Sequence, residues 1–243
     1  MGKRDSQSLP HLPTNDFSTR PIDLVDVKPT WRGWIHAGVL PIVIAAGIVL
    51  IVLAHGAVAK AGASIFFACS VLLFGNSALY HRFNWRPSVK KALKRVDHAN
   101  IFLLIAGSYT PITLLALPGD KAVVLLWIIW GTALLGIGFR VFWISAPRWL
   151  YVPIYIGMGW VAMAFITDFF AANAPMMILI LAGGLAYTLG AIVYALKWPN
   201  PSKKHFGFHE IFHVFTVLAF MSQWTGILLI SLAPAAVSLG AIK

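Results

Sequence analysis

The sequence predicts an all-α, polytopic membrane protein: a bundle of seven transmembrane helices with a cytoplasmic N-terminus and an extracytoplasmic C-terminus. Three observations predict it. Of the 243 residues, 59% are hydrophobic and 11% charged, against roughly 45 to 50% apolar and about 25% charged in soluble domains. Apolar runs of about 17 residues or more recur along the chain, close to what a helix rising about 1.5 Å per residue needs to cross roughly 30 Å of hydrocarbon. The formal net charge of +11 falls between these runs, which points to orientation in a bilayer and away from nucleic-acid binding. Composition therefore excludes a disordered chain and argues against an ordinary soluble enzyme.

In chain order, the first thirty residues are polar and punctuated by Pro10, Pro13, Pro21 and Pro29. They lack the apolar core and small-residue cleavage site of a secretory signal, so a flexible cytoplasmic tail is expected over residues 1–30, with the seven-helix domain over 31–243. The uncharged runs are Trp34 to Ala54, Ala63 to Tyr80, Ile101 to Leu117, Ala122 to Phe139, Trp149 to Thr167, Pro175 to Leu196 and Val214 to Leu232. Each must be helical, because hydrocarbon offers no partner to backbone N–H and C=O groups and the period-two alternation of a barrel strand is missing. Gly183, Gly184, Gly190 and Pro111 are tolerated inside such helices and permit close packing or a bend. The single cysteine, Cys69, lies in the second run, which rules out a disulfide framework and reads as a small core residue. No nucleotide-binding glycine loop is present.

Basic residues alternate by side. The N-terminal segment carries Lys3, Arg4, Arg20, Lys28 and Arg32; the second loop Arg82, Arg86, Lys90, Lys91, Lys94 and Arg95; the fourth Arg140 and Arg148; the sixth Lys197, Lys203 and Lys204. The other side has only Lys60, Lys121 and Lys243. This asymmetry places the N-terminus in the cytoplasm and, after seven crossings, the C-terminus outside. Trp31, Trp34, Trp149 and Trp198, near span ends, fit the aromatic belts of the interface.

Ionisable groups at membrane depth are costly and tend to mark function. Here they gather at one end: His81 closes the second helix, Asp97 opens the third, and His209 and His213 open the seventh. His209 and His213 are four apart, so both imidazoles share one helix face, and Ser77 and His81 repeat that spacing. Three imidazoles with one open position make a common catalytic zinc site, in which the ion brings the pKa of its water to about 7. Asp97 then orients that water or takes its proton. For the His209–His213 pair alone, metal ligand and interfacial anchor are equal readings; His81 and Asp97 at the same depth favour a metal. His36, His55 and His98 stay open, although His36 and His98 are expected on the site's side, where an outer-donor role to the ligands is one option; His11 and His205 read as solvated. Asp168 is expected to be solvated, and Met176 and Met177 to face lipid or pack.

His209-Glu210-Ile211-Phe212-His213 also matches the H-E-x-x-H signature of zinc proteases, in which the Glu is the general base. The downstream extension with Gly and a third His is missing, where the chain reads Val214-Phe215-Thr216-Val217-Leu218. Asp120, in Leu117-Pro118-Gly119-Asp120, is similar to the acidic ligand of an intramembrane protease but is expected at the opposite membrane face. An intramembrane metalloprotease is thus a minor alternative.

Three ordered segments resemble the signatures of bacterial hemolysin III proteins, relatives of the progestin and adipoQ receptors. They are Ser77-Ala78-Leu79-Tyr80-His81; Asp97-His98-Ala99-Asn100-Ile101 leading to Gly107-Ser108-Tyr109-Thr110-Pro111; and His209-Glu210-Ile211-Phe212-His213. The resemblance runs from about Trp31 to the end of the seventh helix. By similarity to adiponectin receptors it implies that His81, His209 and His213 hold Zn2+ on the cytoplasmic side, that Asp97 contacts the water on the ion, and that Ser77 hydrogen-bonds within the site. Alkaline ceramidases, which hydrolyse a lipid amide, share these residue types. Glu210 has no ligand role in that scheme. Some bacterial members carry another His midway along the last helix, where this chain has Met221-Ser222-Gln223-Trp224.

The expected function is a zinc-dependent hydrolase of the bacterial plasma (inner) membrane, acting on a lipid amide or ester delivered from the bilayer, with a role in membrane lipid homeostasis. Its partners are membrane lipids. Two other classes stay open: a non-catalytic, zinc-stabilised lipid sensor or receptor, and the pore-forming cytolysin that the family name implies. The strong loop bias of a resident membrane protein argues against the last.

Overall fold

The chain folds as a helical membrane bundle, seen in a computed structural model that describes residues 29–202 and 204–234. Most of the expected N-terminal tail, together with Lys203 and Lys243, lies outside the described residues. Seven helical stretches are long and apolar enough to cross a membrane, and no strand occurs among the described residues. The first four spans are α1 (Trp34–Leu53), α2 (Ala57–Arg82), α3 (Pro87–Ala116) and α4 (Gly119–Phe142). The fifth is composite: α5 (Arg148–Gly159), a 3-10 turn (Val161–Phe165) and α6 (Ile166–Ala172); α7 (Ala174–Leu196) and α8 (Phe208–Leu232) complete the bundle.

The second and third helices outrun their apolar runs. The basic second loop expected between them shrinks to residues 83–86, while Lys90, Lys91, Lys94 and Arg95 belong to the opening turns of α3. Lys and Arg are good helix formers, and Pro87 at the first helical position presets the backbone. An uncharged run marks where hydrocarbon ends and not where the helix does. Arg140 and Arg148 likewise sit in helices, at the end of α4 and the start of α5.

An unbroken helix was expected from Trp149 to Thr167, and the structure interrupts it after Gly159. Interruption at membrane depth requires partners for the freed backbone groups. Tyr109 supplies them: its hydroxyl donates to Gly159 O at 2.8 Å and accepts from Ala162 N at 2.8 Å.

Helix α3 is the central strut. Of its apolar window 78% is buried, against 22% for α1. Small residues allow the close approach this needs. A Cβ on Gly107 would fall 2.8 Å from the Cys69 side chain, and one on Gly62 2.9 Å from Pro111 Cα. Cys69 is thus the small core residue its position suggested. Helices α7 and α8 close on each other in the same way, with Gly183 against Gln223 and Gly190 against Phe215. Met176 and Met177 are fully buried there as packing residues.

Candidate metal centre

The three sequence-distant imidazoles meet where α2 ends and α8 begins. Gly33, with φ of +83°, turns the chain into α1 so tightly that any Cβ would lie 2.7 Å from Arg82 N, which seats the start of α1 on the end of α2. The segment before it runs along the loop ahead of α8, with Thr30 N donating to Lys204 O at 3.1 Å and Trp31 N to His205 O at 3.3 Å. That loop contains a cis peptide bond between Trp198 and Pro199 and is tied by Asn200, whose Oδ1 accepts from Phe208 N at 3.0 Å. The first turns of α8 are thereby pressed against α1 and α2.

One ring nitrogen from each of His81, His209 and His213 falls within a 4.8 Å group, with His81 and His213 buried and His209 half-buried. His209 Nε2 and His81 Nε2 face each other at 3.2 Å. The His213 ring centroid is 4.5 Å from that of His209 and 5.2 Å from that of His81. The residues present fit a metal ion: converging imidazole nitrogens are the donor set preferred by ions such as zinc, and the buried Nδ1 of His213 has no hydrogen-bond partner. The group is able to hold a metal ion. Asp97 flanks it, with Oδ2 3.7 Å from His81 Nε2. Ser77, one turn before His81, is 3% exposed and faces the same space, but no hydrogen bond joins its hydroxyl to the imidazoles.

Glu210, the acidic member of the H-E-x-x-H pattern, is fully engaged elsewhere. Arg32 Nε donates to its Oε1 at 2.8 Å, and Oε2 accepts from Gly207 N at 2.8 Å, capping α8. Both oxygens are tied down, so it is a structural carboxylate.

The two histidines left open on the site's side take distinct roles. His36 stacks on His213, with ring centroids 3.9 Å apart and planes within 10°, and both its ring nitrogens lack hydrogen-bond partners. It braces a ligand ring without bonding to it. His98 turns away to Arg140, whose Nη2 lies 3.1 Å from His98 Nδ1. Arg140 is 1% exposed and stacks 4.1 Å over Tyr151, an arrangement its assignment to a basic loop did not disclose.

Below the imidazoles a cavity of about 310 Å³ runs into the bundle between α2, α3, α5, α7 and α8. Its mouth carries Arg32, Lys90, Lys94 and Arg148, its walls are mainly apolar (Leu73, Leu104, Ile105, Ile156) with interspersed hydroxyls, and Tyr187 and Gln223 line its deeper part. Arg148 is positioned by Tyr194, donating to its carbonyl at 2.9 Å and stacking 4.3 Å over its ring. Sequence patterns marked none of these wall residues, since an apolar residue facing a cavity reads the same as one facing lipid.

At the other end of the bundle, Asp120 is exposed at the start of α4, as expected. Asp168 is not simply solvated: Lys121 Nζ donates to both its oxygens, at 2.7 and 2.9 Å. His55 is exposed in the α1–α2 turn at that end. His205 is exposed at the histidine end, where it pairs with Thr30 Oγ1 at 2.8 Å; His11 lies outside the described residues. Trp31, Trp34, Trp149 and Trp198 are all exposed, in keeping with an interfacial belt.

Comparison with known proteins agrees with this architecture. The Haemolysin-III related family model matches residues 26–224. The Hemolysin-3 homolog of Bacillus subtilis is 34% identical over 135 residues, covering 55% of this chain and 63% of that protein. Hemolysin-3 of Bacillus cereus is 36% identical over 165 residues, covering 67% of this chain and 72% of that protein. With relatives of bacterial origin and seven apolar helices, this is a multi-pass membrane protein of the bacterial plasma membrane type. The chain belongs to the haemolysin-III related family.

Proposed function

We propose that the protein is a zinc-dependent hydrolase acting on a lipid amide or ester, with a role in membrane lipid homeostasis. One observation carries the reading: three imidazoles and a flanking carboxylate open onto an apolar-walled cavity inside a membrane bundle. His81, His209 and His213 would hold the ion, which when bound polarises a carbonyl and lowers the pKa of water. Asp97 takes up the proton released on attack and returns it to the leaving group, the part a positioned carboxylate plays in general acid–base catalysis. Ser77 offers a hydroxyl to the substrate's polar linkage. The apolar walls keep acyl chains out of water, and the basic mouth meets headgroups at the interface. Because basic residues crowd the histidine end, that end faces the cytoplasm, with the C-terminus outside.

The test is Asp97→Asn in the purified full chain, with lipid amides and esters presented in vesicles. Metal content should stay unchanged while turnover falls by about 10² to 10⁴. Full turnover in the variant, or none in the wild type with metal bound, would sink the hydrolase.

A second reading has its own support. The ligands come from two helices far apart in the chain, α2 and α8, so an ion stitching them together suits a lipid sensor in which packing and not chemistry is the output. Cytolysis, the activity in the relatives' names, would require purified protein to release dye from liposomes unaided. A zinc protease is disfavoured because both Glu210 oxygens are already bonded.

A further inference from the structure

Deep in the cavity, away from the imidazoles, two polar atoms have no partner within the described protein. Gln223 on α8 is 9% exposed and lines the cavity, and its amide oxygen accepts no hydrogen bond. The buried hydroxyl of Tyr187 on α7, in the same lining, is also unpartnered. Other hydroxyls at this depth differ. Thr188 accepts from Trp160 Nε1 at 3.0 Å and donates to Gly184 O at 2.8 Å; Tyr109 is held by two backbone groups; Ser108 donates to Ile105 O at 2.9 Å. Leaving a buried amide and a buried phenol unpaired is unfavourable, and native interiors satisfy such groups with protein, water or ligand.

Both residues sit on the α7–α8 seam. Gln223 lies across Gly183, where a Cβ would come within 2.9 Å of its Cγ, and Tyr187 is one turn along the same face of α7. Gln223 is ten residues beyond His213 on α8, which at about 1.5 Å per residue sets it roughly 15 Å from the ligands. Between them the lining mixes apolar side chains with hydroxyls whose hydrogens are already committed, such as Thr216, which donates to Phe212 O at 2.9 Å, and no charged side chain lines this depth among the described residues.

We propose that Gln223 and Tyr187 form a second polar subsite that hydrogen-bonds a hydroxyl carried partway along the chain of the amphiphile in the cavity. An amide and a phenol offer both acceptor and donor without charge, matching a neutral hydroxyl and not an ion. The subsite selects chain-hydroxylated lipids over plain ones of equal length. It rests on the lipid reading of the cavity but not on hydrolysis.

The test is a binding competition on the purified full chain in micelles. Long-chain fatty acids with a single hydroxyl stepped along the chain compete against the unsubstituted parent. Wild type should favour one mid-chain position by about tenfold. Gln223→Met and Tyr187→Phe, both close to native volume, should bring that ratio toward one. His209→Ala should weaken all the acids and leave the ratio intact, because it touches only the far end. The subsite is overturned if no position is preferred, or if the preference survives both cavity substitutions. Failure of every acid to bind wild type would remove the lipid reading as well, whereas equal binding removes the subsite alone.

Discussion

The two ends of the bundle handle polar groups in opposite ways. At the histidine end, His36, His81, His213, Glu210 and Arg140 are each no more than 8% exposed, held by ring stacking, side-chain hydrogen bonds, ion pairing and the cap of α8. The other end closes with an apolar core, and its one described ion pair, Lys121 with Asp168, has side chains 43% and 25% exposed. Burying charge is expensive unless it is paired, so an end that concentrates buried ionisable groups is retained for what they do. The opposite end owes its stability to packing.

Breaking the contrast at its strongest point means removing a ligand. His209→Ala or His213→Ala should cut bound metal from one ion per chain to almost none by elemental analysis. Retention of a full equivalent would refute the three-imidazole site. Next in size is the buried ion pair. Arg32→Met strands Glu210, which is fully buried, and should cost about 3 kcal/mol or more in thermal unfolding, whereas adding Glu210→Gln should recover much of the loss. Glu210→Gln by itself should lower stability while turnover per folded molecule is preserved, and abolished turnover would revive the protease reading. On the packing side, Gly62→Ala forces a Cβ onto the Pro111 backbone and should cost about 1 to 3 kcal/mol with metal content unchanged. Smallest of all, Lys121→Ala should shift stability by less than about 1 kcal/mol, as exposed pairs do.

Much of the site was legible because its signals are local. The spacing of His209 and His213, the position of His81 at a span end, and the Asp97 and Ser77 motifs are each short-range patterns, and all five residues lie around one space in the structure. The roles of His36, His98 and Arg140 were not legible. Each is placed by a partner on another helix: His36 by the ring of His213, His98 by Arg140, and Arg140 by Tyr151. The break after Gly159 escaped for the same reason, since the tyrosine that satisfies it lies fifty residues earlier.

From the sequence alone followed the class of solvent, the number of crossings and the end at which ionisable groups gather. Hydrocarbon imposes those features one segment at a time, through hydrophobic length and the placement of charge. Only the tertiary structure decided which side chains face the cavity, which carboxylate is free and which is tied, and that Gln223 and Tyr187 lack partners. Lipid-facing and cavity-facing positions on a membrane helix are written in the same apolar alphabet, and the rotation that separates them comes from how the helices pack.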